Sequence, residues 1–378
     1  MQTDRMATFS EYLGQIVNSA RSGKLSIWVG AGISKEMPSS LPLANELKFH
    51  LLESICKHPQ LARIHEDYLR DGTDIGRQIR DYPLEAFIER IAEAVNDAVG
   101  TIAELFKSGL PNKNHFLIAR LMERGYVREI LTTNFDPLIE MALEALGLLP
   151  VVDFYVYSTE TQFGRIGLEP KFPTIFKIHG SANAVESIRA TLSAISRRAP
   201  LENRRKVLDH FLSSEGDILI LGYSAKDDFD INPVLSEIEP KRRIFYVRHK
   251  KGYRTIKKLP RAFRHCDGHS LWCDTEELIE YLWKVLLKEN WRASCDSWTK
   301  QISGDLFIRR GWSEVLDDWV DRIPLSTRFS IVASILDAIH QYDWAFKLFR
   351  SAEKISEEHG DKLATAIAID RLALVERR

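Results

Sequence analysis

The sequence predicts an α/β protein: a doubly wound, mostly parallel sheet over residues 1–290, followed by an all-helical region over 291–378. Three observations carry this. Short aliphatic and β-branched runs recur at 24–30, 127–133, 174–179, 217–222 and 243–248, each with the length and composition of a strand covered on both faces. Amphipathic patterns at 43–57, 83–108, 112–124, 136–147, 187–214 and 274–290 alternate with them, as crossovers between parallel strands require. Beyond Trp291 the strand signal stops, and Trp298 to Arg378 reads as amphipathic helix broken at Ile323-Pro324 and at Gly360.

Taken in order, residues 7–22 place Phe9, Tyr12, Leu13, Ile16 and Val17 on one helical face, and Gly23 stops that helix just before the first strand. The run Gly268–Cys273 reads as the last strand. In the helical region, 342–358 and 361–376 form a hairpin with small residues at Ala345, Ala352, Ala364 and Ala368, similar to a tetratricopeptide-type repeat. Such repeats bury their apolar faces on neighbours, so a single hairpin reads as an unfinished array or an atypical cap. Trp312, Trp319 and Trp344 are expected as core or interface residues. Apolar faces of this kind favour a homo-oligomer.

Composition narrows the function classes. The chain has 378 residues, 44% hydrophobic and 28% charged, which is ordinary for a globular protein of more than one core. Lys and Arg total 52 against 53 acids, so no chain-wide field points to nucleic acid or an anionic membrane as main partner. The basic run His249–Arg261, with Tyr253 inside it, reads as a solvated loop. Cys56, Cys266, Cys273 and Cys295 in a chain without a secretory leader at its start fit the reducing cytoplasm, with no disulfides. No apolar run reaches the ~20 residues that cross a bilayer. His265, Cys266, His269 and Cys273 lie close in sequence but match no zinc spacing, so no metal is expected.

Four strand ends carry chemistry-bearing residues. Gly30-Ala31-Gly32-Ile33-Ser34 follows the first strand, a form in which glycines let backbone approach a pyrophosphate and a following helix offers free N–H groups. Glycines there also serve a tight turn, and the third glycine of the dehydrogenase fingerprint is replaced by Lys35. Leu131-Thr-Thr-Asn-Phe-Asp136 sits at the carboxyl end of a strand, where open α/β sheets bind ligands; Asn134 or Asp136 can equally cap the helix beginning near Pro137. Lys177-Ile-His179-Gly180-Ser181 places an imidazole at a third strand end. Leu219-Ile-Leu-Gly222-Tyr223-Ser224 ends a fourth, followed by Asp227, Asp228 and Asp230.

In this order, the motifs GAGIS, TTNFD, KIHG and LGYS resemble the SIR2 superfamily, specifically the SIR2-like branch of bacterial anti-phage defence proteins, over about residues 20–250. The resemblance implies a Rossmann-like domain that binds NAD+. It places the dinucleotide's diphosphate on Gly30, Ala31, Gly32 and Ser34. Thr133 and Asp136 join the binding set at the second motif, with Gly222, Tyr223 and Ser224 at the adenosine ribose. Asn134 and His179 become the catalytic pair. Two departures bear on the activity: the arginine-bearing stretch of protein-deacylating members is replaced by Lys35-Glu-Met-Pro38, and no Cys-x-x-Cys pair occurs for their zinc module. The branch implies hydrolysis of NAD+ to nicotinamide and ADP-ribose, held in check until an assembly or an activating phage or host protein engages the helical region. A protein deacylase and a non-catalytic NAD+ or ADP-ribose sensor are the alternative readings.

Overall fold

The computed structural model describes residues 8–166, 172–195, 198–228, 231–303 and 310–377. Eight strands form one sheet: β1 (Leu25–Val29), β2 (Val127–Thr132), β3 (Tyr155–Tyr157), β4 (Thr174–Lys177), β5 (Asp217–Leu221), β6 (Arg243–His249), β7 (Arg254–Lys257) and β8 (Gly268–Cys273). Their order is β3-β4-β2-β1-β5-β6-β8-β7. All neighbours run parallel except β7 and β8, which are antiparallel.

Six of the eight strands are the ones the sequence predicts. β3 has only three residues and β7 only four. β7 lies inside the basic run read as a loop, because its alternation of Arg254, Thr255, Ile256 and Lys257 buries a single aliphatic residue. That residue, Ile256, packs on the core beneath one face of the sheet.

Residue alternation divides the apolar core between two faces. Ile27, Val29, Leu219, Leu221 and Phe245 point to one face, where Ile16, Phe116, Leu117, Ile279 and Trp283 cover them. Trp28, Leu131, Phe176, Ile220 and Tyr246 point to the other, against Val207, Leu208, Phe211 and Leu212 of the helix Arg198–Ser213. Every residue of β1 is buried, as expected of a central strand covered on both faces.

The strand order reverses at β1. The chain runs outward from β1 through β2 to β4 and β3, then returns to the other side of β1 with β5. Open α/β sheets bind ligands at the carboxyl ends of strands beside such a reversal.

Packing divides the chain into two compact units, and neither is continuous. One contains residues 1–41, 106–188 and 195–309 and holds the sheet; the other contains 42–105, 189–194 and 310–378. The division therefore runs differently from the boundary at residue 290 read from the loss of strand signal. Helix Trp291–Ser303 stays with the sheet unit because Cys295 and Trp298 pack on its core. The helices between Ala44 and Leu105 belong with those after Gly311. Within that second unit, buried Lys48 donates to the carbonyls of Ile79, Arg80 and Tyr82, at 2.8, 2.9 and 2.6 Å, a cation placed at the negative end of the helix Asp74–Asp81. Trp319 Nε1 donates to Asp97 at 3.0 Å. The expected hairpin appears as the helices Tyr342–Glu358 and Lys362–Val375, with Ala345, Ala352 and Ala368 buried.

Candidate active site at the carboxyl ends of the central strands

All the site residues predicted from sequence fall in the sheet unit, on the loops that leave β1, β2, β4 and β5. The β1 and β5 loops lie against each other. Gly30 N–H donates to Leu221 O at 3.0 Å and Gly32 N–H to Gly222 O at 2.9 Å. A Cβ on Gly32 would sit 2.8 Å from Gly222 Cα, and one on Gly222, whose φ is +65°, would sit 2.6 Å from Ile33 N. No larger residue fits either position without moving main chain. This loop-to-loop contact by itself requires glycine at both positions.

The helix expected directly after the glycine loop does not form. The element after the glycine loop is a four-residue 3-10 turn, Ala31–Ser34, and the next α-helix begins only at Ala44. Pro38 and Pro42 lie between and lack the N–H groups a continuing helix needs. The sustained helix dipole anticipated for a diphosphate is therefore absent at this loop.

What the turn does position is Ser34, which is buried and at the centre of a hydrogen-bond network. Its Oγ lies 3.1 Å from His115 Nε2, 2.9 Å from Asp136 Oδ2 and 3.3 Å from Asn134 Nδ2. Ser34 gives its hydroxyl hydrogen to Asp136 and accepts from Asn134 Nδ2. His115 Nδ1 faces both the Asn112 N–H, at 3.1 Å, and Asn112 Oδ1, at 2.9 Å, and which ring nitrogen carries the proton sets whether Nε2 donates to Ser34 or accepts from it.

Burial acts on the two ionisable partners in opposite directions. It pushes His115 down to about 3, helped by the Lys177 charge, so the ring is neutral at physiological pH. It raises the Asp136 carboxyl, while Lys177 and the hydrogen bonds from Ser34, Leu138 and Asn134 pull back toward ionisation. Lys177, fully buried on β4, ties the network to the sheet. Its Nζ donates to Asp136 O at 2.5 Å and pairs with Glu140 Oε1 at 2.8 Å. Pro137, not Asn134 or Asp136, is the N-cap of the helix Leu138–Ala145; Asp136 lies just before it, and its Oδ1 accepts from Leu138 N–H at 3.2 Å.

Asn134 is 7% exposed, and its Oδ1 is buried with no hydrogen-bond partner. The amide cannot be turned over to cure this, because the oxygen would then face the Asp136 carboxylate. The backbone is fixed as well, with Asn134 N–H donating to Thr132 Oγ1 at 3.0 Å. A buried amide oxygen left without a donor costs about 1–3 kcal/mol.

His179 lies two residues past β4 and is 6% exposed. Its ring is 6.4 Å from that of Phe135, which also packs 5.4 Å from Phe106. Phe135 O accepts from Ala182 N–H at 2.8 Å. The β2 loop carrying Asn134 and the β4 loop carrying His179 are thus joined through the residue between Asn134 and Asp136.

The remaining predicted residues divide by exposure. Ala31 and Ser224 are exposed, and Thr133 is half-buried. Tyr223 is buried in the core, stacked on Trp28 at 5.0 Å and edge-on to Phe263. Its side chain therefore faces the core, and its main chain is the part that borders the site. Asp230 lies outside the described residues. A cleft of about 700 Å³ opens in the same unit, bordered by Met37, Pro111, Glu276 and Trp291; of the network it includes only Asn112.

Sequence reading missed His115, Asn112 and Glu140, and assigned Lys177 no role. The available signal was Asn112-Lys-Asn-His115 at the start of the helix Lys113–Glu123, a capping pattern with histidine as its fourth member. Of the cysteine and histidine group near 265–273, His269 is engaged by the Tyr12 hydroxyl at 3.1 Å, and among the described residues no cluster of three His, Cys, Asp or Glu could hold a metal.

Comparison with known families addresses the segment from β2 onward. Residues 128–253 match the SIR2-like domain family. No curated protein matches the chain. The SIR2-like segment includes Asn134, Asp136, His179 and Gly222 to Ser224, so one module supplies the β2, β4 and β5 loops. SIR2-like domains bind NAD+, and the match suggests NAD+-related activity in general. The glycine loop and His115 precede the matched segment and join it only in space. Among the described residues no helix is long and apolar enough to cross a membrane.

Proposed function

We propose that this chain is an NAD+ glycohydrolase that cleaves the nicotinamide–ribose bond of NAD+ with water, giving nicotinamide and ADP-ribose. The observation that carries the proposal is the buried, unpartnered Oδ1 of Asn134, whose Nδ2 is held by the Ser34 hydroxyl at the end of the glycine loop. Nicotinamide is a good leaving group, since departure neutralises its cationic ring. The protein's task reduces to holding the ribose, stabilising an oxocarbenium-like state and admitting water.

In this reading Asn134 Oδ1 accepts from a ribose hydroxyl or the attacking water, and His179 accepts the proton released as water adds. Asp136 binds no substrate atom directly. Its oxygens are committed to Ser34 and Leu138, so it orients Asn134 from behind. The loops after β1 and β5 hold the dinucleotide through their main chain and the exposed Ser224.

The resemblance to defence-associated proteins extends the proposal to a cytoplasmic effector of anti-phage defence, homo-oligomeric, and held silent until an activating protein contacts the helical unit. Uncontrolled loss of NAD+ would kill the host cell, so the activity itself requires such a restraint.

Incubation of the purified chain with NAD+, with nicotinamide and ADP-ribose separated by chromatography, tests the proposal. Release by the wild type, reduced on the order of 100- to 10,000-fold in His179→Ala, is expected. If no nicotinamide is released, calorimetric titration with NAD+ decides: binding retains an enzyme awaiting its activator, and absence of binding overturns the assignment.

A further inference from the structure

The second feature at the carboxyl end of the sheet lies on its far side, at β6, β8 and β7. Between Lys241 and Cys266 there are eleven Lys or Arg residues and no Asp or Glu, in a chain whose formal net charge is −1. Arg242, Arg243 and Arg254 pair with Glu129, Asp217 and Glu277. Arg248, Lys250, Lys251, Lys257 and Lys258 meet no carboxylate among the described residues. Lysines that guard an edge strand against pairing with another chain would account for Lys257, but not for the others, which lie off the four-residue edge strand.

The strand register collects three of these cations around one indole. Trp272 on β8 lies opposite Arg248 on β6 and Thr255 on β7. Its ring has Lys257 at 4.0 Å, Arg248 at 5.2 Å and Lys250 at 5.5 Å. Lys250 also lies 3.9 Å over the ring of Tyr253, which is 45% exposed. Trp272 belongs to neither apolar core beneath the sheet and is half-exposed. The surface therefore offers two aromatic faces interleaved with five unpaired cations on a rigid strand scaffold.

We propose that this β6–β7–β8 surface binds single-stranded nucleic acid, with unpaired bases stacking on Tyr253 and Trp272 and phosphates taken by Arg248, Lys250, Lys251, Lys257 and Lys258. Stacking platforms set in a basic groove are how proteins hold single strands without reading sequence. A membrane surface would need apolar side chains to insert, and Tyr253 is the only large apolar side chain the run exposes. This site is independent of the NAD+ reading, and its test does not use hydrolysis.

Fluorescence anisotropy with a labelled 15-nucleotide oligothymidylate, its duplex of equal length, and phosphatidylserine vesicles gives the test. Four to five phosphate contacts predict that binding of the single strand weakens roughly 50- to 130-fold between 50 and 200 mM salt. Lys251→Glu with Lys258→Glu, both exposed positions that leave the core intact, is expected to lower the salt slope as well as the affinity. Tyr253→Ala is expected to weaken binding about tenfold while leaving that slope unchanged. The proposal is overturned if the oligonucleotide does not bind at 50 mM salt, if the double variant binds as the wild type does, if duplex binds as tightly as single strand, or if the vesicles bind and the oligonucleotide does not.

Discussion

The two ends of the same central strands carry buried polar networks of opposite design. At the amino end, Arg242 is 5% exposed and every nitrogen of its guanidinium is used. Nε donates to Ser214 O at 3.0 Å, Nη1 to Ser26 Oγ at 2.8 Å, and Nη2 to Glu129 at 3.2 Å and Glu215 O at 3.0 Å. His210 completes Glu129 at 2.8 Å. Burial alone would raise the Glu129 carboxyl, yet His210 and Arg242 bring it below the usual carboxylate range. At the carboxyl end, burial prevails over the partners of Asp136, His115 is held neutral, and Asn134 Oδ1 is left open. One network is closed on itself and serves stability; the other leaves the Asn134 Oδ1 acceptor without a partner.

The largest effects that could break this comparison come from its two buried cations. Arg242→Met would strand the Glu129 carboxylate and is expected to cost about 3–5 kcal/mol in urea unfolding, with turnover per folded molecule unchanged. Lys177→Met would strand Glu140 at similar cost and also release the Asp136 main chain, so turnover should fall with stability. Equal loss of activity in both variants would erase the distinction between the two ends.

Ser34→Ala gives a smaller, local effect. It removes the hub of three hydrogen bonds and is expected to cost about 1–3 kcal/mol. If Ser34 acts by orienting Asn134, the loss in activity should fall on kcat more than on KM. A rise in KM alone would instead place Ser34 in direct contact with the dinucleotide.

Smallest is a pH effect confined to one end. The folded pKa of His115, about 3, lies below the ordinary value near 6.5, so below pH 6.5 the unfolded chain binds a proton that the folded chain refuses. Stability is then lost as pH falls, by about 1.4 kcal/mol at pH 5.5. Glu129, whose pKa is lowered, holds its contribution until pH falls below the ordinary carboxylate range. Asp136, whose pKa is raised, acts the other way and gives up stability as pH rises through its folded value. Urea midpoints at pH 7.5 and 5.5, compared with those of His115→Gln, isolate the histidine. A wild-type difference no larger than that of the variant would mean that His115 is protonated in the fold.

What the sequence made legible follows from how local each signal is. The central strands are continuous aliphatic runs, and the strand-end motifs lie within single loops, so both could be read without coordinates. β7 escaped because a four-residue edge strand buries only Ile256. His115 escaped because its partner Ser34 lies 81 residues away, and no periodicity links them. The helices between Ala44 and Leu105 could be located only in part, and their membership in the helical unit rests on packing with residues beyond Gly311. At the glycines the position was legible and the close approach of Gly32 to Gly222 was not, because it joins loops far apart in sequence.

The central claim is that the open acceptor of Asn134 is where this fold acts on NAD+. Its most direct test is the rate of nicotinamide release by Asn134→Ala, normalised to folded protein and measured under conditions in which the wild type turns over. A fall on the order of 100- to 1,000-fold is expected, with unfolding stability equal to the wild type or higher, since an unsatisfied buried oxygen has been removed. A rate within twofold of the wild type would contradict it.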